Sequence, residues 1–164
     1  MFWEPFATWL ESTWFHGVMI DIYWMFPLME TLHFLALIWL FGALLVVDGR
    51  VLGIVRFLNM KACMKFIPVA MIAFSFSFLT GLAFLHADPF NYLANPGFQW
   101  KMALIAIAGI NALWFWLGEH KELLSLADGQ QAPFRAKVIA LISIVLWVFI
   151  IIMGRILPYT GGAG

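Results

Sequence analysis

The chain has 164 residues, of which 64% are hydrophobic and 11% charged. A soluble domain carries roughly 45–50% apolar and about 25% charged residues, so this composition excludes an ordinary water-soluble enzyme and points to lipid as the main solvent. Nine basic residues balance nine acidic ones, and Cys63 is the single cysteine; no basic stripe exists for nucleic acid, and neither an internal disulfide nor a cysteine-cluster metal site is available.

At about 20 apolar residues per span, the length leaves room for four or five membrane helices and one domain. The expected fold class is all-α, an integral membrane four-helix bundle preceded by an interfacial amphipathic helix. Residues 1–26 begin with Glu4 where a secretory leader would have a basic region, so they are read as mature sequence. They carry Trp3, Trp9, Trp14 and Trp24, interrupted by Glu11, His16 and Asp21. Tryptophan prefers the headgroup zone, which predicts an interfacial helix over roughly 6–24. A fifth span here would have to bury two or three carboxylates.

The bundle is expected over 27–158. Pro27 suits a first helical turn, and the first span covers about 28–52. The second covers about 66–86 and ends at Asp88-Pro89; the third, after the Asn95-Pro96-Gly97 turn, covers about 98–120. The polar stretch Asp128 to Pro133 must be a loop, and the fourth span covers about 134–157, with Pro158 as its stop and 159–164 as a loose tail. Arg50, Arg56, Lys61, Lys65, Lys121, Arg135 and Lys137 all fall at one end of such a bundle. By the positive-inside rule the 50–65 and 118–133 loops are cytoplasmic and both termini periplasmic, in a bacterial inner membrane.

Antiparallel spans fix which residues share a depth. His33, His86, Lys101 and Arg155 fall one on each span, towards the outer end. Two imidazoles on facing helices can hold one heme iron from both sides, and bundle cores are a usual place for such a site. Lys101 and Arg155 would meet the propionates, Trp100, Trp147 and Phe side chains would pack on the macrocycle, and Gly42, Ala43, Gly81 and Ala83 would leave room for a flat ring. Glu30, three residues before His33 and on the same face, would accept the second ring N–H of that histidine, as a metal-bound histidine requires. It would otherwise pair with Lys101 or Arg155. His16 is the reserve ligand for His86. A histidine at a helix end more often snorkels to water, but His33 lies inside the apolar run. Ser75, Ser77, Thr80 and Asn111 read as interhelical hydrogen bonders, Asp48 and Arg50 as a pair at the inner interface, His120 as part of a solvated face, and the methionines as packing.

The run Glu30-Thr31-Leu32-His33-Phe34-Leu35-Ala36-Leu37-Ile38-Trp39-Leu40-Phe41-Gly42 resembles the first-helix signature of the copper-resistance CopD family and of the HemJ-type protoporphyrinogen oxidases. Thr80-Gly81 and Phe98-Gln99-Trp100-Lys101 are similar to the later helices of those families. The resemblance implies a heme b in the bundle, with His33 and Lys101 at the family positions. The resulting expectation is a b-type cytochrome with bis-histidine ligation by His33 and His86, which leaves no open iron position and favours electron transfer. It would exchange electrons with a quinol, as a homo-oligomer or as part of a larger membrane redox complex in the lipid bilayer. The alternatives are a HemJ-type oxidase in which Lys101 orients a substrate carboxylate, a CopD-like metal transporter, and a non-catalytic membrane anchor with its aromatic N-terminal segment as docking surface.

Overall fold

The computed structural model describes residues 2–127 and 129–160. Asp128 in the polar loop and the expected loose tail at Gly161 to Gly164 lie outside the described residues. Among those residues the protein is all-α, with four helices long and apolar enough to cross a membrane: Met25–Leu52, Met60–Ala87, Pro96–Ser125 and Phe134–Thr160.

The N-terminal segment is helical in two pieces, α1 (Glu4–Glu11) and α2 (Trp14–Asp21). Local side-chain bonds make the break. Ser12 Oγ donates to the Trp9 carbonyl at 2.7 Å and Thr13 Oγ1 to the Leu10 carbonyl at 2.6 Å, while Thr13 also accepts from the His16 amide to cap α2. Such bonds compete with the backbone ladder. Each piece is far too short to span, so the segment adds no fifth crossing. Ala7, Leu10 and Met19 are buried, with α1 against the short helix α6 (Pro89–Ala94) and α2 against α5 (Phe66–Ala87). Phe6, Trp9 and Trp14 remain exposed around this end.

Helix α3 (Met25–Leu52) is closed by Gly53, whose φ of +84° lets its amide return to the Gly49 and Arg50 carbonyls. Asn59 starts the short α4 (Met60–Met64) by accepting from the Ala62 amide, and α5 follows directly. Asp88 caps α6 through the Asn91 amide. Asn95 caps α7 (Pro96–Trp114), which continues through a π-helical turn over Phe115–Glu119 into α8 (His120–Ser125). Helix α9 (Phe134–Thr160) passes through Pro158, where the sequence predicts a stop. The missing proline amide falls in the last turn, so little of the ladder is lost. Beyond it the Thr160 hydroxyl reaches Asn95 Oδ1 at 2.8 Å, tying the end of α9 to the start of α7.

Helix α3 packs along α5, α9 packs along α7, and the two pairs join where α3 meets α9; α5 and α7 do not approach each other. The bundle is therefore closed on one side and open on the other. Alanines allow the close contacts: Ala43, Ala70 and Ala73 sit with Leu40 at mid-height, and Ala132, Ala136 and Ala140 pack with Val47, Val51, Met60, Met64 and Leu123 towards the basic end. Most other large apolar side chains point outwards, as lipid allows.

Candidate functional site: an acid in a lateral cleft

His33 is buried, at 8% exposure, on the face of α3 that meets α5. Its Nδ1 lies 2.9 Å from Thr80 Oγ1. The Thr80 hydroxyl is also within reach of the Phe76 and Ser77 carbonyls, at 2.9 and 3.0 Å. The His33 ring also bonds the Ser77 backbone, so it is held to α5 at both Thr80 and Ser77. The ring packs edge-on to Phe84, with centroids 5.3 Å apart, and its Cε1 lies 3.7 Å from where a side chain on Gly81 would begin.

His86 does not meet it. Ser77, Thr80, Gly81 and Phe84 follow the i, i+3, i+4, i+7 stripe of α5 that faces α3. His86 stands two residues past Phe84, on the other side of the helix, and about 9 Å beyond Thr80 along the axis. Its Nδ1–H donates to the Leu82 carbonyl at 2.8 Å, and its ring meets Phe15 of α2 edge-on. The structure gives the two histidines of the expected pair different neighbours: the side-chain period of α5 sets His86 on another face from the Thr80 that meets His33. His16, the reserve, donates from Nδ1 to the His86 carbonyl at 2.6 Å and latches α2 to the end of α5. It does not turn towards His33.

The remaining expected residues disperse in the same way. Glu30 is exposed and leaves His33 to Thr80. It lies near Tyr92 of α6, whose phenol is raised above its ordinary value by burial first, and then by the Asp88 and Glu30 carboxylates. Lys101 lays its ammonium against Gly154 of α9, where a Cβ would come within 3.3 Å of Nζ. It has no carboxylate partner among the described residues, and it lies within electrostatic range of His33. Arg155 is exposed and stacks over the Tyr159 ring at 5.7 Å. Trp100 is 65% exposed and faces outwards. His120 packs edge-on against Trp116 at 4.3 Å and is half-buried, a closer setting than the solvated face predicted for it. Among the described residues no three His, Cys, Asp or Glu side chains gather as a metal site.

The open side of the bundle holds a different site. Between α5 and α7 lies a cavity of about 620 Å³, backed by α3 and α9. Its walls are mostly apolar, and its mouth is formed by the exposed Met71, Leu113 and Trp116. Asp48 reaches it from α3 at 4% exposure, and its Oδ2 has no hydrogen-bond partner. It is the single ionisable group among the described lining residues. The Ser143 hydroxyl approaches the carboxylate from α9, and Ser75 and Asn111 add two further polar groups to the wall. One Asn111 amide hydrogen is already committed to the Ile139 carbonyl at 3.2 Å.

The expected Asp48–Arg50 pair is absent. Arg50 turns to the basic-end loops, where Nε donates to the Leu58 carbonyl at 2.6 Å and Nη2 to the Gln130 carbonyl at 3.4 Å. Residues two apart on a helix do not face each other, and that spacing was the signal in the sequence that Asp48 had to find something else. Trp147, proposed above as a heme-packing residue, lines this cleft and meets Phe74 edge-on at 6.2 Å.

Fold and site together define a multi-pass membrane helical bundle with a lateral, apolar, acid-bearing cleft. No family model, curated protein or solved structure matches the chain.

Proposed function

We propose that this chain is a membrane-embedded binding protein that takes an apolar, membrane-dissolved small molecule into the cleft between α5 and α7. One observation carries the reading: a buried acid, with one carboxylate oxygen lacking a hydrogen-bond partner, lines a cavity whose walls are mostly apolar. A polar group held in such surroundings is costly unless something bonds to it, and intramembrane acids mark function by default. A volume near 620 Å³ is in the range of small-molecule sites. The opening between two helices that never touch admits a ligand sideways from lipid.

In this proposal the basic end is cytoplasmic, both termini are periplasmic and the membrane is a bacterial inner membrane. The cleft then lies in the cytoplasmic half. The packed middle, with Leu40, Ala43, Ala70 and Ala73 flanked by Leu37, Leu44 and Trp147, separates the cleft from His33. His33 and Asp48 are 15 positions apart on α3, about 22 Å along the axis. That apolar layer weighs against CopD-like metal transport, which needs polar groups at mid-membrane.

The test is extraction and mass analysis of small molecules retained by the purified protein. Gly109 lines the cleft and a Cβ there meets open space, so Gly109→Leu projects a branched side chain into the cavity and obstructs it without disturbing the helix. Retention of an apolar compound by the parent and its loss in Gly109→Leu is the expected result. Equal retention in both would reject the reading.

A second reading keeps the redox role and rests on His33 alone. The Thr80 hydroxyl meets Nδ1 at 2.9 Å, the outer-shell support that a metal-bound histidine uses, and Nε2 would be the ring nitrogen offered to a metal. His33 would be the residue of this chain that holds a heme b, and the heme would supply one-electron redox chemistry. An ultraviolet–visible spectrum with and without dithionite decides it: a Soret band lost in His33→Ala supports the reading, and no band rejects it.

A further inference from the structure

We infer that the occupant of the cleft is the head group of a quinone or quinol, hydrogen-bonded to Asp48. The inference rests on the binding role just proposed and names its ligand class. Three features of the site select that class.

The first is the route. Met71 of α5, Leu113 of α7 and Trp116 of the π-helical turn are lining residues that are also exposed on the lipid side. A ligand that enters between them is dissolved in the bilayer and carries a long apolar part.

The second is the shape and nature of the walls. Phe74 and Trp147 stand edge-on to each other, and Phe115 and Trp116 belong to the π-helical turn opposite. Aromatic side chains in such positions favour a flat ring between them. Gly109 and Ala108 of α7 and Ala70 of α5 keep the space between the helices free of bulk.

The third is the chemistry of the acid. Asp48 Oδ2 is unpartnered, and Arg50 points away to the loop carbonyls. An ionised carboxylate can only accept a hydrogen bond, while a protonated one also donates. A quinol O–H donates to the first form and a quinone carbonyl accepts from the second. Both oxidation levels of one molecule are therefore served by the same side chain. A permanently cationic amphiphile suits the ionised form alone, and a plain acyl chain leaves the carboxyl without a bond. Ser75 of α5, whose hydroxyl donates to the Met71 carbonyl at 3.0 Å, and Ser143 of α9, which approaches Asp48, keep oxygen lone pairs that a second polar substituent can donate to. The inference concerns binding and assigns no electron transfer to the chain.

The experiment uses the full chain in lipid nanodiscs with decylubiquinone as probe. Binding is read as the part of the tryptophan quenching that is lost when Trp116 and Trp147 are replaced by Phe, and its place is mapped with a photoreactive azidoquinone. We expect saturable binding, labelling of α5 and α7 peptides at the mouth, and weakening of about tenfold or more in Asp48→Leu, the loss of one hydrogen bond to a charged or strongly polar group. Asp48→Asn, which still donates and accepts, should stay within about threefold of the parent, and Gly109→Leu should block the site. Helical content and thermal midpoint of each variant confirm that the bundle is intact. Binding unchanged in both Asp48→Leu and Gly109→Leu overturns the inference. So does tighter binding of dodecyltrimethylammonium than of decylubiquinone, lost in Asp48→Asn, which would assign the site to a cation. If Gly109→Leu expels a retained phospholipid or other apolar compound while decylubiquinone neither binds nor competes, the quinone assignment fails and the binding role stands.

Discussion

Asp48 and Arg50 are two residues apart on α3 and serve opposite sides of the helix. Asp48 turns into the cleft, whereas Arg50, at 2% exposure, ties the end of the span to two loops through the Leu58 and Gln130 carbonyls. Each is buried with the opposite charge so near in sequence, yet they form no ion pair.

Arg50 is thus a clamp. Arg50→Met should leave both carbonyls without their donor and cost about 1–3 kcal/mol, the usual penalty for stranding buried polar groups. The loops over 53–59 and 126–133 should become sensitive to added protease before the spans unfold. Limited proteolysis in detergent, followed by mass mapping, checks this; cleavage no faster than in the parent would remove the clamp.

His33 and Thr80 make a buried interhelical bond between α3 and α5. Thr80→Val keeps the shape but removes the hydroxyl partner of His33 Nδ1, and a loss of about 1–3 kcal/mol is expected. Combining Thr80→Val with His33→Phe removes both polar groups and should recover part of that loss. A thermal-denaturation double-mutant cycle measures the coupling, and strict additivity would refute it.

Gly97 marks the closest approach of α7 to the end of α9. A Cβ at this position would stand 2.5 Å from Thr160 Oγ1, and the same hydroxyl bonds Asn95, which in turn donates to the Leu157 carbonyl at 2.9 Å. Gly97→Ala should therefore destabilise the bundle, within the roughly 1–3 kcal/mol range of overpacking. Thr160→Ala placed in the Gly97→Ala background should restore stability despite losing a hydrogen bond. Failure of the second substitution to help would show that the clash is relieved elsewhere.

Orientation is open to direct chemical test. In a Cys63→Ser background, Gln130→Cys should react with a membrane-impermeant maleimide only from the cytoplasmic side, and Ser12→Cys only from the periplasmic side. Both positions are exposed. The reverse pattern would invert the topology and move the cleft to the periplasmic half.

The sequence by itself determined the number of spans, their approximate limits and the polarity of the two ends. These follow from apolar run length, Pro and Asn caps and the placement of Arg and Lys, which act over one helix at a time. It also singled out His33 as buried, because a histidine inside an apolar run must find a partner. It did not determine the partner. Thr80 takes His33, and His86 is lost to the far face of α5 through a rotation of two residues that no one-dimensional pattern records. Depth is legible from residue count, but facing is set by how α3, α5, α7 and α9 turn and pack. The same holds for the cleft: Ala70, Ala108 and Gly109 could have allowed close packing there, and only the tertiary structure, which pairs α5 with α3 and α7 with α9, leaves α5 and α7 apart.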